Sequence, residues 1–170
     1  MKKDRKNIIL QSLASMLEER NLSKITTASL AEKSKITEAA LYRHFPSKRS
    51  IYAELFSFCD DSIFSKCNEI KKSKLSSKEK VKNAFMFFMF FIEKNKGFAR
   101  LLSREALSSD EQNVSDSVNQ FYERFELVLR QILKEDDSNL RTQPGISAQL
   151  IITSLAVSYT HLRAHETYDH

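Results

Sequence analysis

Apolar and polar residues along the chain alternate with a helical period almost throughout. Ile9, Leu10, Leu13, Met16 and Leu17 form a one-sided stripe, predicting an amphipathic helix from Lys6 to Arg20. The polar stretch Asn21 to Lys24 closes it. Thr26 or Thr27 then caps a very short helix, Ala28 to about Ser34, with Leu30 and Ala31 facing inward. Thr37 caps a second short helix, Glu38 to His44, which Pro46 stops because the residue before a proline is pushed out of the α region. Ser47 caps a long helix from Lys48 to about Lys72, marked by Ile51, Leu55, Phe58, Ile63 and Ile70. Two short helices joined by a tight turn and braced by longer ones predict a helix-turn-helix.

The second part of the chain opens at Ser76-Ser77-Lys78-Glu79, where Ser76 and Glu79 have capping-box spacing. The helix from Lys80 to Lys94 carries the run Phe85-Met86-Phe87-Phe88-Met89-Phe90-Phe91-Ile92, apolar nearly all round, and is expected to be buried on most sides. Gly97 is expected to break it, with a short helix from Phe98 to about Leu107 and a polar loop from Ser108 to Asn113. A long amphipathic helix follows, carrying Val114, Val118, Phe121, Tyr122, Phe125, Leu129, Ile132 and Leu133. A turn-rich linker runs from Asp136 to Gly145, and one more helix starts over Ile146 to Ala156.

Composition narrows the class. Only 2 Gly and 2 Pro in 170 residues exclude turn-rich sandwiches and barrels, and doubly wound sheets with them. Gly97 and Gly145 lie too far apart for a phosphate-binding glycine loop. The expected fold is all-α. Charge is uneven: residues 1–50 hold 11 Lys/Arg against 5 Asp/Glu, and 51–170 hold 16 against 17, so +6 and −1 make up the net charge of +5. A basic excess confined to the helix-turn-helix third suits a nucleic-acid contact. The start of the chain is polar, without the apolar stretch of a signal peptide. The longest apolar run, Ala84 to Ile92, is far short of the ~20 residues that span a bilayer. Cys59 and Cys67 are eight apart, ~12 Å along a helix, too far to form a disulfide with each other; two unpaired thiols suit the cytoplasm.

The segments Ile25-Thr26-Thr27-Ala28-Ser29-Leu30-Ala31 and Thr37-Glu38-Ala39-Ala40-Leu41-Tyr42-Arg43-His44-Phe45-Pro46-Ser47-Lys48 resemble the TetR-type DNA-binding domain, for which the Leu-Tyr-x-His-Phe-x-x-Lys core is quite specific. Ile9-Leu10-Gln11-Ser12-Leu13-Ala14, Asn119-Gln120-Phe121-Tyr122-Glu123-Arg124-Phe125 and Leu129-Arg130-Gln131-Ile132-Leu133 extend the likeness over roughly residues 8–156. Within the family they resemble the division-regulating branch that acts in nucleoid occlusion. The resemblance implies a three-helix helix-turn-helix domain (residues 1–50) and a helical regulatory and dimerisation domain (residues 51–156). It also implies phosphate contacts from Thr26 or Thr27, Tyr42, His44 and Lys48. Thr37 as cap, with Glu38 and Ala39 behind it, would offer the first turn of the recognition helix to the major groove. Leu41 and Phe45 read as core. The family has Gly in the turn where this chain has Lys35; a non-glycine residue in left-handed conformation costs about 1 kcal/mol, and Lys35 is expected to be tolerated, its ammonium near the DNA backbone.

For the second domain, the resemblance implies a surface that engages the division protein FtsZ while the factor is held on chromosomal DNA. Phe58, Lys66, Phe87, Lys94 and Asn95 occupy the matching positions. Lys66 and Lys94 replace arginines, keeping charge but losing bidentate recognition of carboxylates. For Phe58 and Phe87 ordinary core packing is an equally good reading.

The expected function is therefore that of a nucleoid-associated, sequence-specific DNA-binding factor. It would act on a palindromic site as a homodimer, or a higher assembly of it on DNA, and antagonise FtsZ ring assembly. The alternative is a ligand-responsive TetR-type repressor, with the Phe-Met run lining a cavity, although core packing suits that run better. No catalytic motif occurs, and adjacent pairs such as Asp60-Asp61 and Asp136-Asp137 diverge on a helix. No enzyme activity, cofactor, metal or membrane partner is expected. His161 and His165 have i,i+4 metal spacing, but Val157 to Thr167 resembles translated sequencing-adapter DNA, so residues 157–170 are expected to be a non-native tail. The family's final helix, part of its dimer interface, would then be cut off after about Ala156.

Overall fold

In a computed structural model, residues 2–19, 22 and 25–135 are described, with side chains from residue 5 on. They form an all-α chain: α1 (Lys2–Glu18), α2 (Thr27–Lys33), α3 (Glu38–His44), α4 (Lys48–Lys72), α5 (Ser77–Lys94), α6 (Lys96–Leu102), a 3-10 turn (Ser109–Glu111) and α7 (Gln112–Lys134). The expected linker, the helix from Ile146 to Ala156 and the histidine-bearing tail lie outside the described residues. The described residues divide into two compact units, those within 1–63 together with 90–119, and 64–89 together with 120–135.

The first unit is built on the stripe of α1, where Ile9, Leu10, Leu13, Met16 and Leu17 are buried. Leu30 and Ala31 of α2, Leu41 of α3, Phe45, and Ile51, Tyr52, Leu55 and Phe56 of α4 are buried as well. Phe98 of α6 stands 5.4 Å from Phe56 and edge-on to Phe91 at 5.8 Å, within the range where aromatic pairs attract. Lys6 lies over the Phe45 ring, 5.0 Å from its centroid, and 3.9 Å from Glu54. It covers apolar surface with its stem while its charge stays paired.

Gly97 does not break α5. The break falls at Asn95, and Gly97 is a buried residue of α6. A Cβ on Gly97 would lie 2.7 Å from the backbone oxygen of Ala14 and 3.1 Å from Leu17 Cβ, so the glycine is there to let α6 press against α1. Arg100, one turn on, donates to the carbonyls of Leu17 (2.8 Å) and Glu19 at the C-terminal end of α1, where orphan carbonyls and the helix dipole favour a cation. α6 also ends earlier than expected. Ser103 caps it, and Arg104 turns left-handed (φ 60°) with its N–H donating to the Leu101 carbonyl. A sequence with no glycine here hides such a stop.

The second unit is held by a layer of rings. Phe121 packs edge-on to Phe64 (5.4 Å), against Phe88 (5.7 Å) and parallel to Phe125 (6.1 Å), and Phe88 touches Phe125 at 5.1 Å. The Arg124 guanidinium lies 3.9 Å above Phe64. Two polar links tie helix ends together: Lys71 to Gln131 (2.5 Å), and the buried Lys80 to Glu135 (2.6 Å). The Ser76–Glu79 capping box is present, with Glu79 Oε2 accepting from the Ser76 N–H (3.0 Å) and hydroxyl (2.7 Å).

The Phe-Met run is not buried on most sides. Ala84, Phe88 and Ile92 make its inward stripe, whereas Met86 and Phe90 are 57% and 56% exposed. The two sets are offset by two residues, about 200° round a helix. Helical period selects one face for burial even when every position is apolar.

Candidate nucleic-acid interface

Each short helix of the helix-turn-helix is started by a threonine. Thr26 is the N-cap of α2: its Oγ1 accepts from the Ser29 N–H (3.1 Å), and Ser29 Oγ accepts from the Thr26 N–H (2.9 Å). Thr37 caps α3, accepting from the Ala40 N–H at 3.2 Å. Thr27, the first residue of α2, is not the cap. The turn between the helices closes by two bonds, Lys35 N–H to Glu32 O (2.9 Å) and Ile36 N–H to Ala31 O (3.0 Å), the paired pattern of a Schellman motif. Its left-handed position is Lys35, φ 55°. The chain thus takes the turn a glycine would take and carries the strain.

Thr26, Thr37, Glu38, Ala39 and Tyr42 are exposed, and Thr27 and His44 half-buried. Folding brings Thr27 and Tyr42 together across fifteen positions of sequence: the Tyr42 hydroxyl donates to Thr27 Oγ1 at 3.4 Å, with Tyr42 itself 48% exposed. The bond spends the Tyr42 proton on Thr27, so in this arrangement it is the Thr27 hydroxyl that can donate onward to an acceptor such as a phosphate oxygen. Leu41 and Phe45 are buried, as expected, and fix α3 from behind.

Lys48 has a more constrained setting. Its ammonium lies 3.6 Å from Glu111 Oε1 and 5.2 Å from the centre of the Tyr52 ring. Glu111, 2% exposed, closes a capping box at the 3-10 turn, its Oε2 accepting from the Ser108 N–H (2.9 Å) and hydroxyl. Burial works against ionisation of Glu111, but the two Ser108 bonds and the Lys48 charge overcome it, and the carboxyl is held below its ordinary range. Burial, and then the Glu111 charge, push the Tyr52 phenol up.

Sequence reasoning passed over Glu111, reading Ser108 to Asn113 as a polar loop, although Ser-x-x-Glu before an apolar helix is a legible capping signal. Arg43 and Arg49, exposed cations flanking the expected contacts, were likewise not singled out; Arg49 lines an open groove with Pro46, Ser50, Glu54 and Asn113.

The expected partner-binding residues fall in both units. In the first, Phe58 is 64% exposed, which removes the core-packing reading for it. Lys94 is exposed, with its ammonium 5.7 Å from the Phe90 ring centre, and Asn95 Nδ2 donates to the Phe91 carbonyl at 2.7 Å. In the second, Lys66 is exposed and paired with Glu69 (2.7 Å), and Phe87 is half-buried. Burial pushes the Cys59 and Cys67 thiols up to about 12 and about 11, so neither is a ready thiolate. Among the described residues no group of three or more His, Cys, Asp or Glu is placed to hold a metal, and no helix is long and apolar enough to cross a membrane.

Residues 9–55 match the bacterial regulatory proteins of the tetR family, and residues 76–166 match the SlmA-like, tetracyclin repressor-like C-terminal domain. The nucleoid occlusion factor SlmA of Vibrio vulnificus (strain YJ016) is 40% identical over 135 residues, 79% of this chain and 69% of that protein. The SlmA of Alteromonas mediterranea is 37% identical over 160 residues, 94% and 81% of the two chains. In architecture, a TetR-family transcriptional regulator from Agrobacterium tumefaciens superposes with a TM-score of 0.80 at 16% identity, covering 97% of this chain and 90% of that one. The helix-turn-helix, the paired domain matches and this identity lead to one assignment: the chain belongs to the TetR family of bacterial regulatory proteins, with an SlmA-like C-terminal domain, and is a regulator and not an enzyme.

Proposed function

We propose that this protein is a nucleoid occlusion factor: a dimer that binds a palindromic DNA site through α3 of each protomer and, while bound, antagonises assembly of the division protein FtsZ over the chromosome. The observation that carries this reading is the match of the C-terminal region, residues 76–166, to the SlmA-like domain alongside the helix-turn-helix match. In the reader, Thr26, Thr27, Tyr42, His44 and Lys48 contact phosphates, which position the protein on the duplex. Thr37, Glu38 and Ala39 bring the first turn of α3 to the base edges. Phe58, Lys66, Phe87, Lys94 and Asn95 supply the FtsZ contact. The exposure of Phe58 favours this, because an aromatic ring left in solvent on the outward face of α4 suits an interface anchor. The basic side chains suit an acidic peptide. Association with the nucleoid follows from DNA binding itself. The competing reading, a repressor released by an apolar ligand, has less support, because the Phe88 ring at the middle of the run is packed against Phe121 and Phe125.

The test measures duplex binding and FtsZ polymerisation in parallel. Tyr42→Ala and Thr26→Ala are expected to weaken DNA binding, whereas Lys94→Ala keeps DNA affinity and loses FtsZ antagonism. Polymerisation is expected to change only when the protein's DNA is present. DNA affinity retained by both reader variants would defeat the site assignment. Release of DNA by an apolar ligand bound near Phe85–Phe91 would turn the case to the repressor.

A further inference from the structure

The ion pair at the start of α4 is lopsided. Glu111 is buried and its carboxylate pinned, with Oε2 taken by two bonds from Ser108 and Oε1 facing Lys48 at 3.6 Å. Lys48 is part-exposed and rests its ammonium on the Tyr52 ring as well. The carboxylate is therefore the anchor and the ammonium the held group. An ammonium has three N–H donors. Paired with Glu111 at 3.6 Å by charge, it can still bond a second anion from the solvent side. Lysine is a flexible point charge that gives up much rotamer freedom whenever it is fixed, so a lysine already held in place meets a phosphate at lower entropic cost.

We propose that Glu111 is a positioning residue for DNA binding: from the turn before α7 it holds the Lys48 ammonium at the N-terminus of α4, where that ammonium bonds a backbone phosphate. The inference rests on the reading of the helix-turn-helix as the DNA contact. It ties the stance of the reader to a capping box more than sixty positions along the chain, so the Ser108–Glu111 turn becomes part of the DNA-binding apparatus without touching DNA.

The experiment uses the full chain and a duplex selected by it from random-sequence DNA, with affinity measured between about 50 mM and 200 mM salt. Each released phosphate contact changes the slope of log affinity against log salt by about 0.9, a threefold to fourfold difference over that range. Glu111→Gln is expected to weaken binding at low salt and to make the slope shallower by up to that amount. Lys48→Gln should do the same, and the double variant no more than Lys48→Gln alone. Glu111→Asp keeps a carboxylate in the pocket, guarding the fold, but draws it back from Lys48; it should show the same shallower slope with a melting temperature nearer the parent's. An unchanged slope in both Glu111 variants would make the carboxylate purely structural. Tighter binding with a steeper slope would make it a competitor of phosphate. Either result overturns the proposal. Tyr42→Ala on the same duplex separates the two levels: full affinity there sinks the reader assignment, whereas weakened binding there with unchanged Glu111 slopes sinks only the role of Glu111.

Discussion

α2 and α3 of the reader have seven residues each, far too few to persist in isolation, and each buries at most two side chains. Their geometry depends on Thr26 and Thr37 at the N-termini and on the Lys35 turn between them. The ring layer of the second unit works the other way. There α7 runs for 23 residues and presents Phe121, Phe125, Leu129 and Ile132 as one buried stripe, with Phe64 and Phe88 packed on it. The contrast teaches where each region can be damaged. Orientation in the reader is a matter of single hydrogen bonds and one strained dihedral, so small chemical changes should alter binding before they alter folding. In the ring layer, what counts is filled volume.

The largest effect that would break this contrast is truncation of the central ring. Phe121→Ala is expected to destabilise the protein by about 3–5 kcal/mol, because the loss of transfer free energy adds to the cavity left among the neighbouring rings; the denaturant midpoint checks it. Acidification comes next. Glu111 is held below its ordinary range in the folded chain, so its contribution is full above the pKa it has when unfolded. That contribution is lost as pH falls through its lowered folded value. Stability in urea should drop over that acid window, and Glu111→Gln should flatten this part of the profile. Thr37→Ala removes the cap of α3 and is expected to cost about 1 kcal/mol, with a disproportionate loss of duplex binding measured alongside. Lys35→Gly should act in the opposite sense, raising stability by up to about 1 kcal/mol as left-handed strain is relieved, part of it offset by the freer unfolded chain. Thermal melts resolve the sign. Phe58→Ser should leave stability within about 0.5 kcal/mol, as exposed substitutions do, and a fall in midpoint as large as that of Phe121→Ala would show that the ring is buried after all.

Much of the fold was legible because its elements announce themselves locally. Thr37 and Pro46 bracket α3, and the observed helix matches that bracket, Glu38–His44. The Ser76–Glu79 box and the stripe from Val114 to Leu133 were readable for the same reason. The positive φ at Lys35 followed from a missing glycine at a turn of known shape. Other features left no such mark. Gly97 looked like a helix breaker; its use as a point of close approach depends on Ala14, more than eighty residues earlier. The candidate DNA-contacting residues could be named one by one, yet the Tyr42–Thr27 bond and the capture of Lys48 by Glu111 are products of folding.

By itself the sequence determined the helical class and the helix-turn-helix, since caps and periodicity act over a few neighbouring residues, whereas the strained turn at Lys35 was implied only by resemblance to a family with glycine there. Tertiary structure alone decided which face of the Phe-Met run is buried, that Phe58 is a surface ring, and that Lys48 is paired with a buried carboxylate. Those outcomes depend on which distant atoms share a space, and burial and charge pairing have no counterpart in the order of residues along the chain.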